Sequence, residues 1–192
     1  MEEIARNQYM MGDARDPTAC SLFYFALGKV RLVHGLWKQA VWHKENNVML
    51  RFLSNDFSTD RWKTAALKNA YALLGKQRFG ELSNVLLQFR DYNKRVIEYA
   101  AAFFLLGGGL KDAVNICIKY LDDFQLAIAL CRVLEQGEER PILFDVLNNV
   151  VVPLAFQKGN RWLASWAFWN LNRRDLAVRI LVVRPRVFRR KR

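Results

Sequence analysis

The chain has 192 residues, 52% hydrophobic and 25% charged, with ten glycines and four prolines. These values exclude a disordered or collagen-like polymer and leave one compact domain or a stretch of a repeat array. Thirty Lys and Arg against eighteen Asp and Glu give a formal +12, yet residues 158–192 hold eleven bases and one acid, so the preceding body carries only +2. The folded body therefore lacks the basic footprint of a nucleic-acid binder, and nucleic acid is not the expected partner.

The first residues, through Met11, carry Glu2, Glu3 and Arg6 and have no apolar core, so they read as an extension over residues 1–15 and not as a secretory signal. Asp16 followed by Pro17 predicts an N-cap with proline in the first helical position, opening a helix that ends near Gly28. Val30, Val33, Leu36, Trp37, Ala40 and Val41 give the next helix an apolar face. A short helix over 48–53 follows, ended by a loop over 54–60 rich in Ser, Asn, Asp and Thr, which favour turns.

Trp62, Ala66, Ala70 and Leu73 predict a helix that stops at Gly75, and Leu82, Val85, Leu86 and Phe89 predict another. Residues 97–106 are apolar on nearly all sides, the pattern of a buried helix, and Gly107, Gly108 and Gly109 then force a turn. An amphipathic helix from Leu110 leads to Asp122 and Asp123, which open a helix over 126–136 closed by Gly137. Pro141 opens the next, which Pro153 is expected to kink or end. Gly159 and Asn160 precede a helix over 161–171 carrying Trp162, Trp166 and Trp169, and a last helix runs over 176–183 before Pro185.

No segment alternates with a period of two, so the predicted class is all-α. The predicted helix ends at Gly75, Gly107, Gly137 and Asn172 lie about one helical-hairpin repeat apart. The fragments AYALLG, AFFLLG and AFWNLN end at three of them. The expected architecture is an α-solenoid-like array of antiparallel helix pairs, in which each pair hides its apolar face only against its neighbours.

The chain offers little for catalysis: two histidines, no Walker-type phosphate loop, no HExxH and no GxSxG. His34 and His43 are nine apart and do not share a helix face, so they read as partly buried histidines and not as metal ligands. Cys20, Cys117 and Cys131 are odd in number and widely spaced, which fits a reducing compartment and neither a disulfide framework nor a zinc site. The expectation is no catalytic residue, no cofactor and no metal. Trp162, Trp166 and Trp169, four and three apart, form one stripe. We read it as core, with a partner-binding groove as the alternative. The terminal basic run over 184–192 supports a second functional reading, an adaptor for nucleic acid or an anionic surface.

The blocks LFYFALGKVRLVHGLWKQAVWHKE and FLSNDFSTDRWKTAALKNAYALLGKQRF resemble the large scaffold subunit family of the RAVE complex, which includes the DmX-like or rabconnectin-alpha proteins. The resemblance continues in EYAAAFFLLGGGLKDAVNICIKYLDDFQLAIALCRVLE and GNRWLASWAFWNLNRRDLAVRILV, covering most of residues 16–183. It implies a cytosolic, non-catalytic scaffold, here the helical region that follows β-propellers. The implied partners are peripheral-sector subunits of the vacuolar proton-translocating ATPase and other RAVE members, with peripheral association at vacuolar or endosomal membranes. Residues 80–97 depart from the family pattern and read as an insert, and 184–192 as a basic tail. The family supplies no compact motif, so no partner-binding residue is carried over.

Overall fold

A computed structural model describes residues 1–11, 15–80 and 88–182. Among the described residues every regular element is helical and none is a strand, as the periodicity predicts. The chain divides into two compact units, Met1–Asp123 and Phe124–Arg192. In each, most packed helix pairs are chain neighbours, the solenoid-like arrangement of helix pairs expected above.

In the first unit α1 (Glu2–Met10) packs on α2 (Pro17–Ala26) and buries Ala5 and Tyr9. The Asp16 carboxylate accepts from the Thr18 amide at 2.9 Å, and Pro17, which has no amide to satisfy, occupies the first helical position. The chain reverses at Gly28, whose φ of +68° is costly for any side chain. Helix α3 (Val30–Gln39) buries Val33 and Trp37, with Ala40 just beyond. Val41, predicted on the same face, is exposed because the helix has already ended.

Helix α4 (Asn46–Leu53) begins two residues ahead of expectation. The cause is Asn46 itself: its buried side-chain amide donates to the carbonyls of Trp37 and, at 3.0 Å, Ala40, satisfying the end of α3 while starting α4. Helix α5 (Asp60–Gly80) corrects the expected stop at Gly75, since it continues through that residue. A glycine inside a helix costs only about 1 kcal/mol relative to alanine, and the Lys76, Gln77 and Arg78 that follow are good helix formers. Gly75 therefore drops out of the repeat spacing.

Helix α6 (Gln88–Leu106) packs on both α2 and α5, and α7 (Leu110–Lys119) packs on α6. Phe89 falls in α6, while Leu82, Val85 and Leu86 lie outside the described residues. The all-round apolar segment is buried from Tyr99 to Phe104, as expected. Its rings tie the helices together: Phe103 meets Phe52 of α4 and Tyr99, Phe104 meets Tyr71 of α5, and the Tyr99 hydroxyl donates to Met49 Sδ at 3.3 Å. Gly108, at φ +81°, makes the turn into α7.

In the second unit α8 (Phe124–Leu134) starts two residues before the predicted point, preceded by Asp122 in the left-handed region at φ +52°. Gly137 stands three residues beyond its end. The Glu135 carboxylate then accepts from the amides of Ile142 and Leu143, both at 2.9 Å, capping α9 (Pro141–Val146) from outside. Pro153 does not end this helix. A π-helical segment, Leu147–Val151, intervenes before α10 (Val152–Gln157), and the wider turn takes up the missing amide and the ring of Pro153.

Helix α11 (Arg161–Asn170) packs on α10 and on α12 (Arg174–Val182). Its N-terminus is capped by Asn160, whose side-chain oxygen accepts from the Leu163 amide at 3.0 Å. Its packed face is made of alanines: Ala164 and Ala167, like Ala155 and Ala177 on the neighbouring helices, are buried. Such small residues let the backbones approach closely enough for Ser165 Oγ to donate to the Ala177 carbonyl at 2.8 Å.

Candidate interaction surface

The tryptophan stripe lies outside the core, which corrects the reading of it as core. Trp162, Trp166 and Trp169 are 77, 37 and 57% exposed. At 3.6 residues per turn they share one side of α11, while Ala164 and Ala167 lie about half a turn away and take the packed side. Two guanidinium groups hold the exposed rings in place. Arg132 of α8 sits 5.5 Å from the Trp166 ring centre and donates to Asn170 Oδ1 at 2.6 Å, and Arg174 sits 5.5 Å from the Trp169 ring centre. Asn170 in turn donates to the Trp166 carbonyl at 2.7 Å.

Beside Trp162 is a recess of about 310 Å³ lined by Gly159, Asn160, Arg161 and Leu181. Its Arg161 side chain is fixed, donating to the carbonyls of Ile180 at 3.0 Å and of Leu181 at the end of α12, where the helix dipole favours a cation.

The first unit carries a wider cleft of about 720 Å³, whose lining includes Lys29, Arg31, His34, Ser54, Asp56 and Phe57. Its polar groups serve the local fold. Lys29 pairs with Glu2 at 2.7 Å and holds that carboxyl below its usual range; Asp56 accepts from the amide and hydroxyl of Ser58, which lower its pKa in the same way. His34 Nε2 is 3.2 Å from Ser54 Oγ, and His43 lies edge-on to the rings of Trp37 and Trp42, so both histidines are the partly buried kind expected.

Among the described residues no group of three or more His, Cys, Asp or Glu side chains is placed to hold a metal, and no helix is long and apolar enough to cross a membrane. Cys20 and Cys131 are buried, and burial pushes both thiols up to about 12. The basic run over 184–192, which carried the adaptor reading, lies outside the described residues.

The sequence profile of the family described as "RAVE protein 1 C terminal" matches residues 1–87 and 89–192. The protein named "Regulator of V-ATPase in vacuolar membrane protein 1" in Saccharomyces cerevisiae is 40% identical over 184 residues, which is 96% of this chain and 12% of that protein. Its namesake in Schizosaccharomyces pombe is 40% identical over 180 residues, 94% of this chain and again 12% of the relative. "DmX-like protein 1" of Homo sapiens is 38% identical over 197 aligned positions, covering 96% of this chain and 6% of the relative. The chain thus spans an eighth or less of the length of these curated relatives. A profile match over nearly every residue, on helices packed as the resemblance implies, places the chain in the RAVE protein 1 C-terminal family.

Proposed function

We propose that this chain acts as a non-catalytic helical scaffold segment of a V-ATPase regulator, binding peripheral-sector subunits of the enzyme and other RAVE members. In that role it promotes assembly of the vacuolar proton-translocating ATPase and so acidification of vacuoles or endosomes. It works in the cytoplasm, peripheral to those membranes through the complex, and needs no cofactor. The observation that carries this reading is the 40% identity, across 96% of the chain, to a protein whose name states regulation of V-ATPase in the vacuolar membrane. The helical architecture supports it physically. Stacked helices present broad faces, and stable protein complexes bury about 1,200–2,000 Å² in such contacts.

Replacing the matching segment of the Saccharomyces cerevisiae relative with this chain tests the proposal. Vacuoles that acidify with the replacement and fail to acidify when the segment is deleted are the expected result. Normal acidification after deletion would contradict it.

A further inference from the structure

We infer that the exposed tryptophan face of α11 is a docking site for an acidic amphipathic helix of a partner protein. The inference rests on the reading of the chain as a partner-binding scaffold, and its test is separate from any function of the V-ATPase.

The first argument is area. With indoles of about 250 Å² each, the exposures of Trp162, Trp166 and Trp169 leave roughly 400 Å² of aromatic surface in one stripe. That is within the range of the largest apolar patch a monomer tolerates, a size that marks interaction sites. Their spacing of four and three residues is that of anchors along a helix groove, and tryptophan and arginine are the side chains that most often dominate binding energy.

The second argument is charge. The described residues from 158 to 182 hold Lys158, Arg161, Arg173, Arg174 and Arg179 against a single acid, Asp175, and Arg132 joins them from α8. The segment that carries the stripe is thus basic, and two of these cations stand at the rings themselves, which complements an acidic occupant and repels a basic one.

Geometry selects a peptide over an anionic membrane. Arg132 and Arg174 are laid over indole rings, and Arg132 is fixed further by Asn170, so the cations stand at defined positions along the stripe. A guanidinium held in this way offers a planar fork matched to carboxylates that recur once per helical turn. The recess beside Trp162 adds a seat for one apolar side chain of the occupant. An interfacial membrane helix, by contrast, needs a long apolar face free to enter the acyl region. On the exposed side of α11 the large apolar groups are the three rings, and two of them carry a guanidinium 5.5 Å from the ring centre.

The test uses the full 192-residue chain and three probes: a fluorescent amphipathic helical peptide of leucine and glutamate, its leucine–lysine counterpart, and phosphatidylcholine vesicles with and without phosphatidylserine. Binding of the leucine–glutamate peptide by anisotropy is expected, with no binding of the lysine peptide. The double variant W162A/W169A and, separately, R174E are expected to weaken it by about tenfold or more, the effect of losing a hot-spot residue. All substituted positions are exposed, and unchanged thermal unfolding of the variants will show that the fold is kept. Absence of binding to the glutamate peptide, equal affinity for the lysine peptide, or full affinity in both variants would overturn the inference. So would serine-lipid-dependent sedimentation that W162A/W169A abolishes, since it would assign the face to a membrane.

Discussion

Gly107 lies against Leu67: a Cβ built on the glycine falls 2.7 Å from Leu67 Cγ, closer than real carbon atoms approach, and 3.0 Å from the Lys63 carbonyl oxygen. The end of α6 is therefore pressed onto the middle of α5 at a point where only a hydrogen fits. Gly108, one residue on, has open space around it but a positive φ. The two glycines are needed for different reasons. Gly107→Ala is expected to cost about 1–3 kcal/mol by overpacking, seen as a lower midpoint in urea unfolding. Adding Leu67→Ala opens the contact, so the double variant is expected to be less destabilised than the sum of the single changes.

Asn46 joins two helices through one side chain, and its removal leaves the buried carbonyls of Trp37 and Ala40 without that donor. Asn46→Ala is expected to destabilise the chain by about 1–3 kcal/mol. Asn46→Asp is expected to be worse at neutral pH, because a carboxylate has no donor and faces the negative end of α3. Thermal unfolding of both variants checks the order.

Glu98 sits on α6 with its carboxyl largely buried, and burial raises its pKa even though Lys94 Nζ lies 3.8 Å away and favours the charge. A carboxyl whose folded value is raised binds its proton more tightly in the native state. Its contribution to stability is complete below the unfolded value and declines as pH rises through the folded one. Glu98→Gln, which stays neutral, is expected to match the parent in acid and exceed it at neutral pH. Unfolding midpoints that differ equally at every pH would refute this assignment.

Local chemistry made many helix boundaries legible in the sequence. Asp16 with Pro17, the three glycines after Leu106, and Pro141 each have an action confined to one turn, and each acts where expected. Errors arose where a local signal met a longer-range force. Gly75 is a weak breaker inside a segment of strong helix formers, so α5 passes through it. Pro153 is a strong breaker, but one π turn upstream absorbs it, and nothing in a hydrophobic pattern announces that turn.

The tryptophan face shows the same limit for the candidate site. Spacing places Trp162, Trp166 and Trp169 on one side of a helix but does not say which side packs. The missed signal was Ala164 and Ala167 on the opposite side, small residues that make a close helix contact and leave the large rings outside. Arg132 was beyond any local reading, because it reaches Trp166 only through the packing of the second unit.

Affinity capture tests the scaffold role most directly. The tagged 192-residue chain, shown to be helical by circular dichroism, is exposed to a yeast extract containing V-ATPase and washed at physiological salt. Recovery of peripheral-sector subunits is expected, whereas a folded chain that recovers none of them and no RAVE member would contradict the proposed role.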